Sequence, residues 1–179
     1  MKGKTSAKAK LRTKMRQALN TLSESTRATQ SQSICDQLPL LTGSKIAIFA
    51  HLTSEVRLLS LVESSPHIEW FLPRILSDSE IEFLPIHELR TLKKGPFGIM
   101  EPSSGIPVRE LDIIVCPGLA FTARGDRLGQ GGGFYDRALT QFPTARAIGV
   151  CFDCQLLDTL PSEPHDAKMA QVITARQGF

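Results

Sequence analysis

The chain has 179 residues, of which 41% are apolar and 22% charged, with 21 lysines and arginines against 18 aspartates and glutamates. This balance suits one globular domain and excludes wholesale disorder. No stretch approaches the ~18 consecutive apolar residues of a membrane-spanning helix. The basic N-terminus lacks the apolar core of a secretory signal, and four cysteines do not make a disulfide framework, so we expect a cytoplasmic protein.

The first 22 residues predict a basic amphipathic helix. Residues 1–16 contain seven lysines and arginines and no acid, although the net charge of the whole chain is only +3. Apolar residues recur at helical spacing along one face, at Leu11, Met15, Ala18, Leu19 and Leu22. We therefore expect helix 1–22 to pack on a single domain that spans residues 1–179.

Lys8, Arg12 and Arg16 follow one another at i, i+4 spacing on another flank of this helix. Like charges at this spacing repel one another by roughly a few tenths of a kcal/mol per pair, a cost that a bound anion removes. The pattern leaves three interpretations open: a solvated face, a phosphate-binding helix, or an arm that binds nucleic acid. No aromatic residue occurs among residues 1–48 for single-stranded bases to stack on.

Further elements follow in chain order. Helical periodicity and end signals predict three more helices, over residues 24–38, 55–64 and 134–142. Ser23 is a suitable N-cap for the first of them. Apolar and β-branched runs predict short strands over residues 45–50, 68–72, 80–84, 111–116, 147–151 and 172–174. The segment 86–105, rich in glycine and proline, predicts a loop. Buried strands that alternate with helices favour an α/β fold with a mostly parallel sheet.

Four glycines within five residues separate the strand 111–116 from the helix 134–142: Gly129, Gly131, Gly132 and Gly133. Ligands of α/β sheets bind beyond the carboxyl ends of strands, and glycines allow backbone N–H groups to approach an anion. The run matches neither a Walker loop nor the Gly-x-Gly-x-x-Gly of dinucleotide-binding turns. We predict an anion cradle, with a glycine-rich surface turn as the alternative.

Charged residues flank these glycines. Arg127 precedes them and offers a planar fork of donors that suits phosphate. Asp136 lies in the first turn of the following helix, where an acid interacts favourably with the helix dipole. A carboxylate beside a polyphosphate also suits Mg²⁺, and the pattern leaves both interpretations of Asp136 open.

This loop resembles that of the 5-formyltetrahydrofolate cyclo-ligase (5,10-methenyltetrahydrofolate synthetase) family. Members carry Arg-Leu-Gly-x-Gly-x-Gly-Tyr-Tyr-Asp, and this chain has Arg127-Leu-Gly-Gln-Gly-Gly-Gly-Phe-Tyr-Asp136. Other family segments follow in the same order: Lys8-Ala-Lys-Leu-Arg12, Leu72-Pro-Arg74, Gly95-Pro-Phe-Gly-Ile-Met-Glu-Pro102, Val115-Cys-Pro-Gly-Leu-Ala-Phe121, and Phe152-Asp-Cys-Gln155 with Pro164-His-Asp166.

The resemblance implies a three-layer sandwich of the NagB/RpiA/CoA-transferase-like type. It also implies a ligase that converts 5-formyltetrahydrofolate and ATP into 5,10-methenyltetrahydrofolate, ADP and phosphate through a phosphorylated imidate, with Mg²⁺ as cofactor. Small molecules are then the partners, without nucleic acid or membrane, and we expect a monomer.

The resemblance also implies the residues of the site. Those implied to be catalytic are Arg127, Tyr135 and Asp136, and Asp136 is also the implied Mg²⁺ ligand. Those implied to bind ATP are Lys8, Arg12, Arg127, Gly129, Gln130, Gly131, Gly132, Gly133, Phe134 and Tyr135. Those implied to bind the folate are Leu52, Arg57, Gln130, Gly131, Gly132, Gly133 and Phe134.

Two positions depart from the family pattern. Arg57 stands where the family has an acid near the folate, and Ala170 stands where it has a second Mg²⁺ carboxylate. Asp166, four positions earlier, is a candidate to compensate for Ala170 without being equivalent to it. These departures leave an alternative, a family member that binds nucleotide or folate with weak or no turnover.

Other chemically active residues receive structural interpretations. Cys151 and Cys154 form a Cys-x-x-Cys pair, but no second pair completes a tetrahedral metal site. For His165 we favour structural hydrogen bonding over catalysis. Phe134 and Tyr135 open the helix after the glycines, where either ligand contact or packing on the sheet explains them.

Overall fold

A computed structural model describes residues 2–40, 43–163 and 166–176, without the side chains of residues 2–6. Pro164 and His165, which belong to one of the family-like segments, lie outside the described residues, so the role predicted for His165 stays a prediction. Over the described part of the chain, the helices are too short or too polar to cross a bilayer.

The centre of the fold is a mostly parallel sheet, as the sequence predicted. The strands are β1 (Lys45–Ala47), β2 (Glu69–Ile75), β3 (Ile81–Ile86), β4 (Lys93–Lys94), β5 (Met100–Glu101), β6 (Ile113–Cys116), β7 (Ala120–Phe121), β8 (Arg127–Leu128), β9 (Arg146–Val150) and β10 (Gln171–Ile173). Within the described residues, the main sheet has the order β10-β9-β6-β1-β2-β3. Neighbours are parallel except for β2 and β3, which are antiparallel.

Helices cover both faces of this sheet. They are α1 (Lys2–Asn20), α2 (Glu24–Gln37), α3 (Ser60–Ser64) and α4 (Phe134–Gln141). Side chains alternate along a strand, so Ile113 and Ile114 of β6 belong to different apolar clusters. The cluster of Ile113 includes residues of α1, α2 and α3, and the cluster of Ile114 includes Ala138 of α4. The predicted α/β layering is confirmed.

The N-terminal helix is anchored through the apolar face that its sequence predicted. Met15 is 2% exposed and Leu19 is 1% exposed, and both belong to the apolar cluster on the α2 side of the sheet. The predicted cap of α2 is also present, because Ser23 Oγ accepts a hydrogen bond of 3.1 Å from the N–H of Thr26. These contacts fix where the cations of α1 lie.

The predicted helix over residues 55–64 is wrong in its first half, because α3 begins only at Ser60. The backbone N–H of Arg57 donates to Ser31 Oγ at 3.1 Å, and the carbonyl of Arg57 accepts a contact of 3.5 Å from the Cys35 thiol. Both groups therefore bond to α2 rather than within a helical turn.

The segment 86–105, predicted as a loop, contains more structure than its glycines and prolines indicated. The short strands β4 and β5 pair there as antiparallel neighbours, with Lys93 opposite Glu101. The hairpin of β7 and β8 was also not predicted. Both features border the cavity described below.

We expect Leu19→Ala to lower the free energy of unfolding by about 2–5 kcal/mol, because it empties a fully buried site. Leu76→Ala is the matched control, since Leu76 is 55% exposed and its loss should cost less than about 0.5 kcal/mol. Urea unfolding of both variants measures the difference. Equal, small losses would show that α1 does not unfold together with the domain.

Candidate active site

An open cavity of about 1070 Å³ lies where β1, β2 and β6 end. Its lining includes Phe49 and Ala50 after β1, Ile75 at the end of β2, and Pro117 and Gly118 after β6. Carboxyl ends of parallel strands are the usual place for ligands in such sheets.

Most of the site residues suggested by the sequence line this cavity. They are Lys8, Arg12, Leu52, Arg127, Gly129, Gln130, Gly131, Gly132, Gly133, Phe134, Tyr135 and Asp136. Arg57 and Ala170 are not among the lining residues. Most of the residues named from the sequence therefore lie in one cavity, although other lining residues were not predicted.

The glycine run forms one wall and leads directly into α4. Gly131 and Gly133 have φ values of +118° and +68°, in the region that residues with a Cβ rarely adopt. Gly133 is the N-cap of α4 and provides no side chain to bond the first N–H groups of that helix. The loop therefore presents backbone donors and the positive end of a helix dipole to the cavity.

An ion pair joins the residues on either side of the glycines. Arg127 Nη2 donates to Asp136 Oδ1 at 2.8 Å, and the Arg127 side chain is only 4% exposed. Arg127 also donates to the carbonyl of Pro117 at 3.3 Å and lies over the Tyr135 ring, with Cζ 5.9 Å from its centroid. Burial raises the pKa of Tyr135 well above its ordinary value, so its hydroxyl stays neutral.

Cations of α1 bond to the same loop. Arg12 Nε donates to the carbonyl of Gly129 at 3.0 Å, and Arg16 donates to the Gln130 side chain at 3.0 Å. Only Arg12 of these two lines the cavity. Arg12 and Arg16, one helical turn apart, therefore hold α1 along the glycine loop.

Lys8, one turn earlier, bonds to the C-terminal part of the chain. Its Nζ lies 2.7 Å from Glu163 Oε2 and 2.8 Å from Asp166 Oδ2, and the residue is 8% exposed. Burial alone would lower the pKa of Lys8, but hydrogen bonds and charges from Asp166 and Glu163 raise it above its ordinary value. One cation and two carboxylates thus border the cavity beside the glycines.

The residues here fit a magnesium ion that arrives with a polyphosphate. Both hydrogen bonds that the described residues give to the Asp136 carboxylate, from Arg127 and from the N–H of Ala167, end on Oδ1. No group of three or more His, Cys, Asp or Glu in the described ranges is arranged to hold a metal by itself. Ala170, exposed immediately before β10, has no side-chain ligand atom. One carboxylate with phosphate oxygens and water is an ordinary environment for Mg²⁺.

A second wall comes from the loop after β1. Glu55 Oε2 accepts a hydrogen bond of 2.9 Å from the N–H of Leu52, and both residues line the cavity. Arg27 of α2 holds this loop by donating to the carbonyl of Thr53 at 2.9 Å. Burial raises the pKa of Glu55, although the hydrogen bond from Leu52 lowers it.

Arg57 points to a different part of the molecule from the one the sequence suggested. Its guanidinium forms a two-pronged ion pair with Glu24 of α2, in which Nη2 lies 2.7 Å from Oε2. The backbone of Arg57 is bonded to α2 as well, so the side chain emerges on that side. The cation that stands at the family's acidic position therefore lies outside the cavity.

A third, largely apolar wall was not found from the sequence. It includes Phe97 and Ile99 of the segment between β4 and β5, Glu101 of β5, and Ile75 at the end of β2. The resemblance of residues 95–102 to the family was the available signal, but it carried no role for these side chains.

Phe134 and Tyr135 satisfy both of their interpretations, because they line the cavity and also pack against the apolar cluster of α4. Cys151 and Cys154 belong to different apolar clusters, and both are free thiols. The structural interpretation of this pair stays a prediction, and the two thiols pack in different parts of the apolar core.

Comparison with known proteins gives consistent results. The model of the 5-formyltetrahydrofolate cyclo-ligase family matches residues 4–175. The 5-formyltetrahydrofolate cyclo-ligase of Mycolicibacterium smegmatis is 32% identical over 97% of this chain and 96% of its own length. That of Escherichia coli K12 is 31% identical over 76% of this chain and 80% of its own. The solved structure of Aquifex aeolicus 5,10-methenyltetrahydrofolate synthetase has a TM-score of 0.83 at 31% identity, and the match covers 95% of this chain and 90% of that one.

We expect Lys8→Met to lower the free energy of unfolding by about 2 kcal/mol, because two neighbouring carboxylates lose a charged hydrogen-bond donor. Lys10→Met is the control, since Lys10 is exposed on the same helix and its loss should change stability by less than about 0.5 kcal/mol. Urea unfolding at low ionic strength compares the two. Indistinguishable variants would argue against the Lys8 contacts.

Proposed function

This chain belongs to the 5-formyltetrahydrofolate cyclo-ligase family, and from that premise we propose that its cavity binds ATP and 5-formyltetrahydrofolate side by side. The chain is a ligase of folate metabolism. One observation carries the proposal: a single cavity of about 1070 Å³ joins a glycine loop with cations to a largely apolar wall. Phosphates suit the first surface and flat rings suit the second.

In this proposal the triphosphate lies along the glycine loop. Backbone N–H groups at Gly131 to Gly133, the start of α4, and the side chains of Arg12 and Arg127 supply donors and positive charge. The guanidinium of Arg127 is held in place by its bond to Asp136. Its remaining N–H donors are therefore already oriented before a phosphate binds. This arrangement supports the ATP-binding role expected for the loop.

The charge of this end of the cavity favours the magnesium complex of ATP over free ATP. Asp136, Glu163 and Asp166 all line it, and they would repel an uncompensated triphosphate. Bound Mg²⁺ would supply positive charge that offsets the charge of the triphosphate. Asp136 is the residue that we propose as its protein ligand, with no second carboxylate at position 170.

The proposed reaction balances without a covalent enzyme intermediate. The formyl oxygen attacks the γ-phosphorus and ADP leaves. N10 then attacks the resulting imidate carbon, loses its proton, and phosphate departs with the former formyl oxygen. Phosphoryl transfer asks a protein mainly for alignment and for donors toward the transferred oxygens. Arg127 and the loop amides provide the donors here, and neutral Tyr135 packs beside Arg127.

On the folate side, Leu52 and the loop residues from Gln130 to Phe134 remain the proposed contacts. Glu55 takes the place in this proposal that the sequence analysis gave to Arg57. Its carboxyl group is in the cavity, whereas Arg57 is paired with Glu24. A half-buried carboxyl group can accept hydrogen bonds from the N–H groups of a ligand that replaces its water.

A family member that binds without efficient turnover remains the second candidate. Of the two departures that motivated it, Arg57 lies outside the cavity, so only Ala170 still favours it. A nucleic-acid role is less supported, because Lys8, Arg12 and Arg16 bond within the chain. The monomer expected from the family resemblance stays a proposal, as does a cytoplasmic location, which suits four free cysteines.

We expect Asp136→Asn to lower kcat/KM by about 100-fold or more and to raise the Mg²⁺ concentration needed for half-maximal rate by about ten-fold or more. The assay follows methenyl-folate absorbance after purified protein is mixed with 5-formyltetrahydrofolate and Mg-ATP. Asp158→Asn is the control, because Asp158 is exposed and does not line the cavity. Product from the wild type that does not require ATP, or an unaffected Asp136→Asn variant, would contradict the proposal.

We expect Glu55→Gln to raise the KM for 5-formyltetrahydrofolate by about ten-fold or more, since a hydrogen bond to a charged group contributes roughly 1.5–3 kcal/mol. Arg57→Met should leave that KM within about two-fold of wild type, because exposed ion pairs contribute little. The same absorbance assay measures both. The reverse order of effects would place Arg57, and not Glu55, at the folate.

A further inference from the structure

Glu101 is a buried acid on the cavity wall that lacks a partner for one oxygen. It is the second residue of β5, it lines the cavity, and it is 7% exposed. Within the described residues, no donor bonds to its Oε1. Buried acids are ordinarily paired, because water is lost on burial and must be replaced. A buried acid with an orphaned oxygen, in a residue that lines an open cavity, therefore indicates a ligand that brings its own donor.

The chain makes room for this carboxyl group. A Cβ at Gly95 would lie between 2.3 and 2.7 Å from the three atoms of the Glu101 carboxyl group, so a larger residue there would displace this carboxyl group. The pairing of β4 with β5 keeps the two segments adjacent. The position of the Glu101 side chain is thus built by the segment that the sequence predicted as a loop.

Neighbouring groups satisfy this carboxyl group only in part. Burial raises the pKa of Glu101, while a backbone hydrogen bond from Ile75 and the charge of Arg74 lower it. The guanidinium of Arg74 is already bonded to another acid, because Arg74 Nε donates to Glu82 Oε1 at 2.8 Å. Arg74 is therefore not free to turn toward Glu101. A ligand in the cavity is therefore the remaining source of a hydrogen-bond donor for the Glu101 carboxyl group.

The two ends of 5-formyltetrahydrofolate differ in their fit to this acid. The glutamate tail is anionic and would be repelled by a buried carboxylate. The 2-amino-4-oxo edge of the pteridine presents two adjacent N–H donors, N3–H and the 2-amino group, which suit a carboxylate. The apolar side chains of Ile75 and Ile99 next to Glu101 suit the ring faces.

We propose that Glu101 determines specificity in the folate site, with its carboxyl group accepting a hydrogen bond from the 2-amino-4-oxo edge of the pteridine. This inference rests on the proposed function, in which the folate occupies the apolar part of the cavity. It orients the pteridine with its donor edge toward β5.

The test compares the binding of 5-formyltetrahydrofolate with that of its 2-desamino analogue, measured by calorimetry with wild type, Glu101→Met and Glu101→Gln. The wild type should bind the natural compound about ten-fold or more tightly than the analogue. Glu101→Met should reduce this preference to within about two-fold, and Glu101→Gln, which keeps one acceptor, should retain part of it. Glu110→Gln, a change at an exposed glutamate, should retain all of it.

A stability measurement guards against variants that simply fail to fold. Without folate, Glu101→Met should be at least as stable to urea as the wild type, because it removes a buried and partly unsatisfied carboxyl group. A loss of stability together with an unchanged preference for the 2-amino compound would show a structural role and overturn the inference.

Two further results would also overturn it. The first is that both Glu101 variants prefer the 2-amino compound over its 2-desamino analogue as strongly as the wild type does. The second is a Glu101→Met variant that keeps the preference for the 2-amino folate but loses a wild-type preference for ATP over inosine triphosphate. The adenine amino group, and not the pteridine, would then be the donor to Glu101. Because calorimetry needs no turnover, an inactive wild type would count against the proposed reaction, and the binding comparison would still decide the role of Glu101.

Discussion

The site depends on the ion pair between Arg127 and Asp136. These residues stand at the two ends of the glycine loop, so their contact of 2.8 Å closes the loop at its base. Glycines alone would leave such a loop with many conformations, because they lose more backbone freedom on ordering than other residues. A buried guanidinium, also bonded to the carbonyl after β6, selects one of them. The amides that we assign to phosphate binding are held in place by this pair.

The two ends of the chain complete the same site. Arg12 of α1 bonds to the carbonyl of Gly129, and Lys8 bonds to Glu163 and Asp166 near the C-terminus. The N-terminal helix is therefore both a structural clamp and part of the cavity wall. Its attachment is apolar on one face and ionic on another, so that docking of the helix and the charge at the proposed phosphate site are linked.

The features predicted correctly from the sequence depend on local patterns. Buried strands, the Ser23 cap and the apolar face of α1 follow from residue types at short spacing, and each is confirmed. The glycine run predicted a loop between a strand and a helix, because few other local structures require so many glycines.

The features that the sequence missed depend on contacts between distant segments. Apolar spacing favoured a helix from residue 55, but the backbone of Arg57 bonds to α2, and this also turns its side chain away from the cavity. Glu101 was assigned no role, because its burial follows from the pairing of β4 and β5 within a segment rich in glycine and proline. Spacing along one element contains no information about such pairings.

The central claim is that one cavity aligns the formyl oxygen of the folate with the γ-phosphate of ATP. Labelling the formyl group of 5-formyltetrahydrofolate with ¹⁸O and analysing the released phosphate by mass spectrometry tests it directly. The account predicts one ¹⁸O atom in each phosphate, because the formyl oxygen leaves with the phosphoryl group that it attacked. Unlabelled phosphate, formed together with methenyl-folate, would contradict phosphoryl transfer to the formyl oxygen.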